Sequence, residues 1–86
     1  MKITGKQVAA ARALLGWSQE QLALAADVVM HTVNRWETGA VEPRKETVDR
    51  VVRAIEDRGV EFLNGGQPGV RFKAKPGAAE SDSAGK

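Results

Sequence analysis

The feature that most restricts this chain lies between Ser18 and Gly39, where two helical signals stand only three or four residues apart. Ser18 followed by Gln21 forms a capping box, in which each side chain takes a backbone amide that the helix start would leave open. Trp17 and Leu22 flank it as a hydrophobic staple. The helix so begun runs from Gln19 to about Ala26, and Asp27 and Val28 break it. A third periodic stretch follows, with Val33 and Trp36 facing inward together and Gly39 ending it. So short a link holds two helices at a steep angle and leaves the outer face of the second one uncovered. His31, Asn34, Arg35 and Thr38 fall on that outer face. A helix presenting polar side chains in this way has the size of the DNA major groove.

Two further helices bracket this unit. Thr4 with Gln7 is another capping box, opening a helix over 5–15 whose apolar positions are Val8, Ala11, Leu14 and Leu15. Gly16 stands where a left-handed terminating residue is wanted. Pro43 marks entry to a fourth helix, in which Val48, Val51, Val52 and Ile55 keep the spacing of a core-facing stripe up to Gly59. The period then becomes two: Val60-Glu61-Phe62 and Val70-Arg71-Phe72 alternate around the turn-rich 64–69 segment. This is a β-hairpin, or two short strands that pair with another chain. From Ala74 the residues are small, polar or charged, with nothing to bury. The chain therefore divides into 1–59, a helical DNA-binding domain; 60–73, a strand extension; and 74–86, a disordered tail.

Composition narrows the function classes. With 86 residues there is room for one small core. No cysteine is present, which removes disulfides and thiolate chemistry and suits a cytoplasmic setting. The apolar runs Val8–Ala11 and Leu22–Ala26 are too short to span a bilayer, so no membrane association is expected. Arg12 interrupts any apolar signal-peptide stretch. Nine basic residues balance nine acidic ones through Gly66, and the net charge of +2 comes from the tail. One histidine, no cysteine and no acid–base pair beside a serine leave no credible active site, so no catalysis, metal or cofactor is expected.

The run from Trp17-Ser18-Gln19 through Leu22-Ala23, Val28, Thr32-Val33 and Arg35 to Glu37-Thr38-Gly39 resembles the Xre family of phage-repressor and Cro-like helix-turn-helix domains. Ala11-Arg12-Ala13-Leu14-Leu15-Gly16 is similar to that family's first helix, and the likeness covers roughly the first sixty residues. The resemblance implies a mainly α, lambda-repressor-like four-helix domain with a short C-terminal β extension. It implies a sequence-specific transcriptional regulator of double-stranded DNA, reading bases with Met30, His31, Asn34 and Arg35 of helix three. Gln19 and Thr38 occupy its phosphate-contact positions, and Arg12 and Glu37 those of its ion pair. Single-domain members pair on pseudo-palindromes, which makes 60–73 the expected homodimer segment.

Four positions depart from the family pattern. Asp27 stands where glycine is favoured, Val29 replaces a Ser or Thr cap, Met30 adds no hydrogen-bonding group, and the loop after Gly39 reads Ala40-Val41-Glu42. These favour a second reading as a protein-interaction module or antitoxin-like partner on the same scaffold. Several residues have two readings. Arg12 with Glu37 is a structural ion pair or a DNA contact, and Val29 with Met30 is a thymine-methyl contact or an apolar patch for a partner. Trp17 and Trp36 read as core. Arg50, Arg53 and Arg58 read as the solvated face of helix four.

Overall fold

A computed structural model of the chain describes residues 2–64 and 66–73. The expected disordered tail at 74–86 lies outside the described residues. Four helices are followed by a hairpin: α1 (Gly5–Leu15), α2 (Gln19–Ala26), α3 (Met30–Glu37), α4 (Lys45–Glu56), β1 (Val60–Leu63) and β2 (Gly69–Phe72). Local chemistry explains the first boundaries. Thr4 Oγ1 accepts the Gln7 amide at 3.2 Å, while Gln7 Oε1 accepts the Thr4 amide at 2.9 Å. Ser18 and Gln21 repeat the exchange at 3.0 and 2.8 Å. Gly16 closes α1 with φ of 70°, a left-handed turn that glycine adopts without steric cost.

The core takes Val8 and Ala11 from α1, Leu22, Ala23 and Ala26 from α2, Val33 and Trp36 from α3, and Val51 and Ile55 from α4. Small side chains at Ala23 and Ala26 let α2 lie close to its neighbours, and it packs on both α3 and α4. Leu14, expected on the inner face of α1, is partly exposed instead. The start of α1 also lies tightly against the end of α3. A Cβ placed on Gly5 would lie 2.0 Å from the carbonyl oxygen of Trp36, so only glycine fits there.

The hairpin belongs to the same core. Val60 pairs with Phe72 and Phe62 with Val70, and cross-strand partners share a face. Val60 and Phe62 are buried, whereas Phe72 at the rim remains exposed. Glu61 and Arg71 form an ion pair on the outer face. Strand β1 packs on α1 and α4, and β2 packs on α1. The hairpin is anchored by Gln7, the buried polar residue among the described residues. Its amide nitrogen donates towards Leu63 O, Asn64 Oδ1 and Gly69 O, each at 3.1 Å, and Asn64 Nδ2 donates to Lys2 O at 2.7 Å. One side chain thus caps α1 and holds both ends of the hairpin turn.

Replacing Gln7 by leucine keeps bulk but removes every hydrogen bond made by the Gln7 side chain. The carbonyls of Leu63 and Gly69 then lose a buried donor, and a lost partner of that kind costs about 1–3 kcal/mol. Urea unfolding of Gln7→Leu should show a midpoint lowered accordingly. A curve superimposing on the wild type would mean that water satisfies those carbonyls instead.

Candidate nucleic-acid interface

Asp27 turns the chain between α2 and α3 by adopting φ of 58° and ψ of 49°, the left-handed region that Asp tolerates better than most residues. Its carbonyl accepts from Arg50 Nη1 of α4 at 3.2 Å, so Arg50, read as purely solvated from sequence, also clasps the turn. Val28 points into the protein and packs against the core. Val29 precedes α3 in extended conformation and offers no side-chain cap. The first amides of α3 are therefore without a capping partner from this residue.

Burial divides α3 into two faces. Val33 and Trp36 are buried, whereas Met30, His31, Asn34 and Arg35 are exposed. Arg35 has no ion-pair partner among the described residues. Thr38 is exposed just beyond α3, with its hydroxyl donating to Arg35 O at 3.1 Å. A phosphate contact from that hydroxyl requires it to rotate away. Gln19, at the first position of α2, is brought beside α3: Asn34 Nδ2 donates to Gln19 Oε1 at 3.4 Å. Helix starts present unpaired amides and the positive end of the helix dipole, and the start of α2 sits next to the exposed face of α3.

Behind this surface lies an ion pair. Arg12 Nε and Nη2 each donate to one oxygen of Glu37 at 2.8 Å, and Arg12 Nη1 donates to Trp17 O at 2.9 Å. Gln19 Nε2 donates to Glu37 Oε1 at 3.0 Å. The Glu37 side chain is only 7% exposed. The hydrogen bond with Glu37 and its negative charge raise the Arg12 pKa, against the lowering effect of burial. The stabilisation tied to that raised value is present at lower pH and is lost only as pH climbs through it, far above neutrality. Arg12 stays charged under all ordinary conditions.

Several contacts around this surface had no visible signal in the sequence. The Gln19–Asn34 and Gln19–Glu37 contacts join residues 15 and 18 apart on two different helices, beyond the reach of capping or of i,i+4 pairing within one helix. Arg58 lies beyond α4, not on it, and its guanidinium sits 5.3 Å from the centre of the Trp17 ring. Trp17 is correspondingly half-buried, packed on the edge of the core. Lys2 pairs with Glu42 at 3.3 Å, offsetting the acidic residue in the loop after α3.

Two helices joined by a three-residue turn, with the second presenting a polar face, define a helix-turn-helix unit. A family model described as helix-turn-helix matches residues 8–58, over half the chain, and the chain belongs to this family of Xre and lambda-repressor-like DNA-binding regulatory domains. No curated protein matches it. No helix among the described residues is long and apolar enough to cross a membrane.

Removing one partner of a largely buried pair strands the other, at a cost of about 3–5 kcal/mol. Arg12→Met should approach that loss in chemical denaturation, and the double variant Arg12→Met/Glu37→Met should recover much of it.

Proposed function

We propose that this chain is a sequence-specific transcriptional regulator that lays α3 in the major groove of double-stranded DNA. The observation that carries the reading is the division of α3, with Val33 and Trp36 buried and Met30, His31, Asn34 and Arg35 exposed. Arg35 is the principal base contact, since a guanidinium donates two hydrogen bonds to guanine, and Asn34 matches adenine. Gln19 and Thr38 flank these as phosphate contacts. Arg12 and Glu37 act structurally, holding α2 and α3 in position rather than touching DNA. Residues 1–59 carry the DNA-binding surface, 60–73 form the extension, and the protein works in the cytoplasm.

A second reading, a protein-interaction module, is favoured by one observation. Val29 and Met30 at the start of α3 are exposed and apolar, as is Leu24 of α2. Salt separates the two readings, because phosphate contacts make log affinity fall steeply with log salt. Arg35→Ala should leave the thermal melt unchanged, lower specific affinity by about 1–3 kcal/mol and relax preference at one base pair. An unchanged affinity and specificity in gel-shift titration would remove α3 as the reader.

The active species in this reading is a homodimer joined through 60–73. One unit of this size reads too few base pairs to single out a genomic site, and two units on a pseudo-palindrome solve that with half-sites about 34–36 Å apart. The hairpin has two strands, so the outer edge of β2 has no strand partner among the described residues, and Phe72 is 56% exposed on it. Edge pairing with a second copy would occupy those backbone groups and cover Phe72. Val60 and Phe62 are core residues, so the informative change is at Phe72 and not a truncation. Sedimentation should show a dimer for the wild type and a monomer for Phe72→Asp, whose affinity for a full palindrome should fall towards that for a half-site. A wild type that stays monomeric on DNA would exclude the arrangement.

A further inference from the structure

A chain of hydrogen bonds runs from the interior to the exposed face of α3, and it fixes the polarity of the amide at its end. A carboxylate only accepts hydrogen bonds. Glu37 Oε1 accepts from Arg12 Nη2 at 2.8 Å and from Gln19 at 3.0 Å, so the Gln19 atom facing it must be the amide nitrogen. The Gln19 oxygen is thereby turned the other way, towards Asn34 at 3.4 Å. An amide oxygen also only accepts, so Asn34 must present its nitrogen to it. Turning Asn34 over would set two oxygens against each other.

Held in this sense, Asn34 keeps one unused N–H and its Oδ1. Adenine offers an N7 acceptor beside an N6–H donor in the major groove, which uses both. Guanine offers two acceptors, N7 and O6, and the second would face Oδ1. Thymine and cytosine each leave one of the two Asn34 groups without a partner. We propose that Gln19, oriented by Glu37, is a positioning residue that sets Asn34 to read adenine. The inference rests on α3 being the major-groove reader, and it adds to a phosphate contact at Gln19 a role in base selection. The Gln19 backbone amide, at the start of α2, remains available for phosphate while its side chain is held in this relay.

The test uses the full chain and a library of random duplex DNA from which the wild type selects its site. Duplexes carrying each of the four base pairs at every position of that site are then titrated against wild type, Asn34→Ala and Gln19→Met. Gln19→Leu serves as a second apolar replacement, and melts establish that each variant is folded. One position should favour A·T by roughly fivefold or more, and Asn34→Ala should bring that ratio to near one. With Met or Leu at Gln19, the ratio at that position should fall several-fold, guanine gaining most, while preferences elsewhere persist. Uniform weakening of all duplexes with the adenine preference intact would make Gln19 a phosphate contact only and overturn the proposal. So would an Asn34-dependent position that favours another base. If Asn34→Ala and Arg35→Ala both leave every preference unchanged, the groove reading itself fails, a result distinct from retained adenine preference in the Gln19 variants.

Discussion

The carboxylate of Glu37 is the constraint on which the arrangement of the first three helices depends. It is almost fully removed from water, so its charge must be met by donors of fixed direction. Those donors come from α1, through Arg12, and from α2, through Gln19. Arg12 also binds the carbonyl of Trp17 in the link between these helices. A shift of any one of the three helices would break a charge-assisted bond in a poorly hydrated place, where a lost partner is expensive. The same side of α1 carries Gly5, where the backbone meets the carbonyl of Trp36 too closely for any side chain. The end of α3 is thus seated against α1 both by charge and by shape.

Helix α1 supports the opposite flank in a comparable way. Gln7 caps its own helix and donates into the hairpin turn, so the strands are held by the helix that also holds α3. A two-stranded hairpin is marginal on its own in water. Here Val60 and Phe62 enlarge a core that would otherwise be drawn from four short helices. For a domain of this size, with stability of order 5 kcal/mol, that enlargement and a few buried polar ties are a large share of the total. The extension is part of the folding unit.

Two of the departures from the family pattern acquire physical partners. The left-handed conformation at Asp27 is met by Arg50, which reaches from α4 to its carbonyl. Glu42, which would repel phosphate, faces Lys2. The absence of a cap at Val29 has no such compensation, and it leaves the start of α3 with exposed apolar side chains beside open amides.

Helix existence, the two capping boxes and the tight α2–α3 turn were legible in the sequence, because each is set by residues within four positions of one another. The same holds for the buried Val33–Trp36 stripe and for the hairpin around 64–69, which depend on local period and turn chemistry. Arg12 and Glu37 could be matched through the family likeness alone, since nothing in their spacing joins them. What only the tertiary structure decided is the wiring between elements. Gln7 looks in sequence like half of a capping box, and its second role exists only because the hairpin turn folds back over it. Gln19 and Asn34 look like independent polar residues until the turn at Asp27 brings α2 beside α3. Their amides then have one consistent orientation, inherited from a carboxylate on another helix. Local sequence specifies each element because backbone capping and burial periodicity act over a few residues. The direction in which an exposed amide points depends on donors and acceptors that are distant in the chain and meet only after packing.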